Sequence, residues 1–405
     1  MKKLCSIVLA LSLSLALLAG CGTGSTGSTD TGEGSENGTA AAVDVSKIKV
    51  GAIYIGDENE GYTAAHMQGI KAMQKALGLS DSQIIEKKNI KEDQTCYDAA
   101  VDLADQGCNI IFGNSFGYED YMLQAAKEFP KVQFCHATGY KAASSGLSNF
   151  HNYFTSIYEA RYLAGVVAGL KLTQLITDGS ITADQAKIGY VGAYPYAEVI
   201  SGYTSFFLGA KSVCPSVTME VRYTNSWGSI DLEKECAGAL IADGCKLISQ
   251  HADTTGAAVA CQSAKIPVVG YNISMISAAP TEALTSAVNH WEPYYSYAVK
   301  SILDGTTIKT DWCEGFSDGS VDITELNDAV VAPGTAEKVD EVKVALTAGT
   351  LHVFDTATFT VEGKSPESFT DAAGNELIFD GYFHESEFSS APSFNLLIDG
   401  IQTVQ

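Results

Sequence analysis

Residues 104–111 read Ala-Asp-Gln-Gly-Cys-Asn-Ile-Ile, and residues 241–248 read Ile-Ala-Asp-Gly-Cys-Lys-Leu-Ile. With Cys108 set over Cys245, an offset of 137, the two stretches share one grammar. A helix runs out, a glycine ends it, and an apolar run begins. Glycine suits such an ending because it takes the left-handed conformation without steric penalty. One element grammar written twice predicts a duplicated architecture.

Outward from the first copy, 49–56 (KVGAIYIG) reads as a buried strand and 61–77 as a helix. Strand 83–90, helix 97–106, strand 109–113, helix 119–128 and strand 132–137 follow. The pattern restarts at 187–191 (KIGYV), with helix 198–213, strand 218–223, helix 231–242, strand 246–250, helix 255–263 and strand 267–270. Apolar runs of four to eight residues alternating with helical periods indicate parallel sheets covered on both faces. The expected fold is α/β: two Rossmann-like parallel-sheet lobes joined by a hinge, with a C-terminal extension. The chain is expected to cross between lobes at 149–160, at 284–291 and again beyond 304. Lobe one is assigned 47–155 plus 289–335, and lobe two 156–288. The extension, 336–405, is expected to pack on lobe one and carries no recognisable chemistry.

The 405 residues hold 48 acidic and 25 basic side chains, a formal charge of -23, with 46% apolar content. That is globular composition. The charge argues against a nucleic-acid partner, since phosphate contacts need clustered Lys and Arg. At the N-terminus, Lys2 and Lys3 precede an apolar run over 4–19 that ends in Leu18-Ala19-Gly20-Cys21. This is similar to a bacterial lipobox, so 1–20 is expected to be a lipoprotein signal peptide and Cys21 the lipid-bearing residue. Such an anchor would hold the chain on the extracytoplasmic face of the cell membrane. An ordinary secretory signal with an incidental Cys21 is the other reading. Residues 21–46, rich in Gly, Ser and Thr, read as a flexible tether. The G-x-G-x-x-G at Gly22, Gly24 and Gly27 lacks a strand before it and a helix after it, so it is not a dinucleotide site.

Ligands of parallel sheets bind beyond the carboxyl ends of the strands. That rule selects 56–62, 113–118, 136–140, 193–198, 225–228 and 251–255. Within and around these loops, 54–69 (YIGDENEGYTAAHMQG), 112–120 (FGNSFGYED), 136–141 (HATGYK), 159–169 (EARYLAGVVAG), 224–227 (TNSW), 249–253 (SQHAD), 289–295 (NHWEPYY) and 349–354 (GTLHVF) are similar to the basic membrane protein (BMP) family. Its members are substrate-binding lipoproteins of ABC importers with a type I periplasmic-binding-protein fold, and they bind purine nucleosides or nucleobases. The resemblance implies a purine-like ligand and a membrane permease as partners. It also implies that Tyr62 and Trp227, one from each lobe, occupy the positions that stack on the base. The chain departs from the family where its nucleoside-binding branch carries an Asp after the glycine of strand 267–270; here Tyr271-Asn272 follow. Tyr62 stands where relatives often have Trp or Phe. Both departures favour a nucleobase or other purine-like ring over a nucleoside.

A heteroaromatic ring wants aromatic side chains on its faces and donors or acceptors around its rim. Phe116 is a candidate wall, core packing being the other reading. The rim candidates are Asp253, Glu198, His136, Ser115 and Asn289. Asp253 would accept from a ring N–H or an exocyclic amine, or else serve as a helix cap. Glu198 would contact ligand or complement a helix dipole. His66 shares a helical face with Tyr62 and is either a contact or a buried core histidine. Arg161 is expected to pair with an acid such as Glu159 or with a strand-end carbonyl.

Gly113-Asn-Ser115-Phe-Gly117 satisfies G-x-S-x-G between a strand and a helix, with Asp253 and His290 following in hydrolase order. No HGGG-like oxyanion segment accompanies it, so a binding protein is the expectation. There is no HExxH, paired CxxC or EF-hand loop; no metal or cofactor is expected. A ligand-presenting sensor lipoprotein is the alternative function. The eight cysteines after Cys21 allow 105 pairings, none of them favoured. A monomer is expected.

Overall fold

The structure, a computed structural model, describes residues 42–404. The lipobox with Cys21 and most of the tether lie outside that range.

Eleven of its strands are separated by helices, save between the ninth and the tenth. They are β1 (Val50–Ile53), β2 (Ile84–Lys87), β3 (Ile110–Gly113), β4 (Gln133–Ala137), β5 (Phe150–Thr155), β6 (Lys187–Gly192), β7 (Thr218–Tyr223), β8 (Leu247–Gln250), β9 (Val268–Tyr271), β10 (Ala283–Asn289) and β11 (Asp311–Glu314). The helices are α1 (Gly61–Leu77), α2 (Gln94–Asp105), α3 (Glu119–Glu128), α4 (Ala142–Ser145), α5 (Ile157–Thr177), α6 (Ala197–Val213), α7 (Ile230–Ala242), α8 (Gly256–Ala264), α9 (Glu292–Asp304) and α10 (Thr335–Thr347). Short strands β12 (Val321–Ile323), β13 (Ile378–Phe379), β14 (Tyr382–Phe383) and β15 (Ile401–Val404) complete the chain.

Two sheets result. The first runs β11-β5-β4-β3-β1-β2 and is parallel throughout. The second runs β12-β10-β9-β8-β6-β7-β15, with only β12 antiparallel. The chain passes from the first sheet to the second between β5 and α5. It returns after β10 and crosses a third time between β11 and β12.

The duplication reaches the packing. Gly107 and Gly244 both end their helices at positive φ, 84° and 90°. A Cβ on Gly51 would meet Leu103, Ile111 and Cys108; a Cβ on Gly189 would meet Leu240, Ile248 and Cys245. Each partner is displaced by 137 residues from its counterpart, so the same glycine admits the same helix onto the same strand in each lobe. All eight described cysteines are free thiols, six of them buried, which fits their place in strand and helix cores.

Two boundaries differ from expectation. β12 falls within the stretch assigned to lobe one but pairs with β10, Asn289 opposite Val321, in the second sheet. The C-terminal extension does not rest on lobe one alone. β15 adds to β7 in parallel, covering what would otherwise be an open sheet edge. α10 packs on α5, the long helix that opens the second lobe. The extension touches the first lobe through Ser390, whose N–H and hydroxyl donate to Asp311 Oδ1 at 3.0 and 3.1 Å. Between these anchors Phe354 stacks on Phe394 with centroids 4.3 Å apart.

Candidate functional site

Loops from the carboxyl ends of both sheets enclose one cavity of about 460 Å³. A volume in this range suits a small organic ligand. From the first lobe come 55–62, Asn89, 114–116 and Thr138; from the second, Glu198, 227–231, His251, Asp253, Thr254 and Tyr271.

The first-lobe wall is built by α1. Glu60 caps the helix, its carboxylate accepting from the N–H groups of Tyr62 (2.7 Å) and Thr63 (2.9 Å). Tyr62 is then fixed at both ends. Its hydroxyl donates to Asn114 O at 2.8 Å, and its ring meets His66 edge-on at 4.5 Å. Asn114 Oδ1 accepts from Ile55 N and so ties the β1 and β3 loops together. In the second lobe Trp227 stands against Tyr194, centroids 5.1 Å apart.

The lobes are drawn together over the cavity. Gly61 N donates to Asp253 O at 3.0 Å, and Phe116 of the first lobe stacks on Tyr196 of the second at 5.2 Å. Both contacts span the cleft, so the described arrangement is a closed one.

A buried cation backs the second-lobe wall. Arg161 is buried with its guanidinium 3.8 Å over the Tyr271 ring. Its Nη1 donates to Tyr190 Oη and to Gln250 O, a strand-end carbonyl as expected. Glu159 turns instead to Phe316 N. His251 Nε2 lies 3.2 Å from Glu198 Oε1. Burial first, and Arg161 second, hold the imidazole down to about 4, so it is neutral at pH 7. The neutral ring then donates from Nε2 to Glu198. Nδ1 is left as a buried acceptor without a hydrogen-bond partner among the described residues. Asp253 is pushed well above the usual carboxylate range by burial, and further by Glu60, Glu233 and Glu198. Among the described residues no lysine or arginine lines the cavity, whereas Asp57, Glu60, Glu198, Asp231 and Asp253 do.

Six of the expected site residues thus share the cavity wall: Tyr62, Trp227, Asp253, Phe116, Glu198 and Ser115. Asp253 is not a helix cap, because its Oδ1 accepts from Asn272 Nδ2. Glu198 sits in the first turn of α6 and lines the cavity. Three expected contacts lie one layer back. His66 stacks on Trp291 at 4.0 Å and bonds Tyr295 Oη, which buries it behind Tyr62. His136 donates from Nε2 to Ser115 O at 2.7 Å and braces that loop from below. Asn289 is held among Thr155, Tyr271 and Asn272. His251, Asn114 and Thr138 line the cavity without being named as contacts. Their loops, 251–255, 113–118 and 136–140, are among the strand ends selected, but nothing in residue type separates these three from ordinary loop residues; Tyr271, the last residue of β9, stands out in the sequence only as a departure from the family pattern.

The hydrolase arrangement is not assembled. Ser115 Oγ donates to Glu92 Oε1 at 2.7 Å, Asp253 lies across the cleft, and His290 is exposed.

Residues 47–348 match the model of the family described as Bmp, ABC transporter substrate-binding protein PnrA-like. The chain belongs to this family. It is 35% identical over 316 residues to a purine-binding protein of Brucella abortus, covering 78% of this chain and 85% of that one. It is 31% identical over 255 residues, 63% of this chain and 61% of the other, to a Haloferax volcanii protein whose name assigns it provisionally to glucose binding in an ABC transporter. A solute-binding protein of an ABC transporter from Conexibacter woesei shares the fold, with TM-score 0.61, 22% identity, and coverage of 75% of this chain and 98% of that one. As a Bmp-family substrate-binding protein, the chain is a non-enzymatic partner of a membrane permease and works outside the cytoplasm. No helix among the described residues is long and apolar enough to cross a membrane.

Two buried acids of this Bmp protein make its stability depend on pH. Burial pushes Glu233 up to about 7, against the N–H groups of Thr254 and Ser229. Burial also pushes Glu159 up to about 7, against Phe316 N. A carboxyl whose pKa rises on folding takes up a proton on folding, so its contribution is present below about 4.5 and is lost as pH climbs through 7. His251, held neutral by burial, acts in the opposite direction as pH falls, so the acid is read by difference: the melting temperature of the ligand-free protein relative to Glu233→Gln should be higher at pH 5 than at pH 8. A difference that does not change with pH would contradict it.

Proposed function

We propose that the chain captures a purine nucleobase or nucleoside between its lobes and hands it to an ABC permease. The observation that carries this reading is the placing of Tyr62 and Trp227 on opposite lobes of one cavity, with carboxylates at its rim. Aromatic faces suit a flat heteroaromatic ring, and carboxylates suit its N–H donors, as they suit cytosine N4. The purine-binding relative supports the same class. Ligand would bridge the lobes and stabilise the closed arrangement over the open one.

Within that class the site favours a nucleobase. Asn272, where the nucleoside branch has its Asp, has its amide taken up by Asp253 and Asn289. It is buried behind Asp253 and does not line the cavity, so it offers no contact to a ribose diol. Among the described residues, phosphorylated ligands meet five acids and no lysine or arginine at the cavity wall, so nucleotides should bind far more weakly than either. The chain acts as a monomer on the outer face of the membrane, anchored by lipid on Cys21; a Cys21→Ser protein that stayed in the membrane fraction would contradict the anchor. The test of the ligand is a thermal-shift series on protein denatured and refolded to strip carried-over ligand, against purine and pyrimidine bases, nucleosides and sugars. Dose-dependent stabilisation by a purine is expected. Stabilisation by glucose alone would replace the ligand class, and silence from every compound would favour the sensor reading.

A further inference from the structure

Four buried side chains at the foot of the cleft form one hydrogen-bonded line. Thr155 Oγ1 donates to Asn289 Oδ1, Asn289 Nδ2 donates to Asn272 Oδ1 at 2.9 Å, and Asn272 Nδ2 donates to Asp253 Oδ1 at 3.2 Å. They are at most 5% exposed. Their places in the chain differ in kind. Thr155 is the last residue of β5, where the chain first leaves lobe one, and Asn289 is the last residue of β10, where it returns. Asn272 follows β9 in the left-handed region at φ 62°, which aims its amide between Asn289 and Asp253. Only Asp253 lines the cavity.

The line has a direction. Asp253 Oδ1 accepts, so Asn272 presents its NH₂ to Asp253 and its oxygen to Asn289. Asn289 must then turn its NH₂ toward Asn272 and its oxygen toward Thr155. The Thr155 hydroxyl, free to rotate, is left as the donor that closes the line. Each amide has one donor end and one acceptor end, so none can reverse alone without bringing two like groups together in a buried place. The same Asn289 Nδ2 also reaches the hydroxyl of Tyr271, a second wall residue, at 3.2 Å.

We propose that Asn272, Asn289 and Thr155 are positioning residues that hold Asp253 Oδ1 occupied, leave its Oδ2 for ligand, and tie that carboxylate to the two strand ends on which the lobes pivot. The proposal rests on the reading of Asp253 as a ligand contact. What ligand does to Asp253 is then felt at Thr155, through bonds that reverse only together. The main-chain bond from Gly61 N to Asp253 O crosses the cleft at the same residue, so closure and the side-chain line meet there.

The test uses Thr155→Val, which keeps the shape and removes the hydroxyl, and Thr155→Ser, which keeps the hydroxyl. Thr285→Val is the control: it removes a buried hydroxyl from β10, the strand that carries Asn289, outside the line, one that donates to Thr324 O. Affinity for adenine and for hypoxanthine is measured by calorimetry, and small-angle X-ray scattering is recorded on stripped, ligand-free protein. Thr155→Val should lose roughly tenfold in affinity although it touches no ligand. Its ligand-free scattering should depart from wild type, Thr155→Ser should restore both readouts, and Thr285→Val should change only the melting temperature. Wild-type affinity and scattering in Thr155→Val would overturn the proposal. So would equal losses in Thr155→Val and Thr155→Ser, which would mark a purely structural threonine. Should wild type bind neither purine, the purine reading falls by itself and the scattering comparison alone decides. A shift in Thr155→Val that serine reverses then supports the line, and no shift overturns it.

Discussion

Trp227→Ala should weaken purine binding roughly 10- to 100-fold and leave the melting temperature of the ligand-free protein nearly unchanged. A base stacked on an aromatic ring gains about 1–3 kcal/mol from that face alone. Trp227 is only half-buried, standing on the Tyr194 ring at the cavity wall, so its removal opens little of the core. Tyr62 is a poorer probe of the same stacking. Its hydroxyl holds Asn114 O and its ring braces His66, so Tyr62→Ala would add a core cost of about 3–5 kcal/mol to any loss of binding. Tyr62→Phe separates the two, since it keeps the ring and drops only the hydrogen bond. Calorimetry on Trp227→Ala beside wild type gives the number, and equal affinities would remove Trp227 from the account.

Gly165→Leu should prevent folding outright, and Gly165→Ala should cost several kcal/mol, at the upper end of what single substitutions do. The reason is the crossing of α5 and α6. A Cβ on Gly165 would strike the carbonyl of Phe206, and a Cβ on Gly209 would strike the carbonyl of Tyr162. The clash is reciprocal, and both obstacles are backbone, which cannot swing aside as a flexible side chain would. Relief requires the two helices to part, and with them the buried apolar residues along α5. Urea unfolding of Gly165→Ala measures this, and a loss below about 1 kcal/mol would show that the helices can separate at little cost.

Much of this was legible from residues. The repeated helix–Gly–Cys–strand unit gave two lobes because glycine at a helix end and a short apolar run each have one local meaning, and the sheets honour both. The strand-end rule found the cavity for a related reason: in parallel sheets every loop on one edge converges. Tyr62, Phe116, Trp227 and Asp253 reach the cavity because they sit on such loops. What stayed hidden was depth. His66, His136 and Asn289 stand at plausible positions, yet each is turned from the cavity by a partner far away in sequence, such as Tyr295 for His66. Spacing along one helix or loop carries no record of such partners. The extension failed for a similar reason. Four residues at 401–404 have no periodicity that names a neighbour, and it is the open edge of β7 that claims them.

The claim everything else leans on is that the cavity takes a purine ring. Calorimetric titration of refolded, ligand-stripped protein with adenine, guanine, hypoxanthine, their nucleosides and glucose tests it most directly. Saturable binding of at least one nucleobase, tighter than its nucleoside, is the predicted result. Saturable binding of glucose with no response to any purine would contradict it.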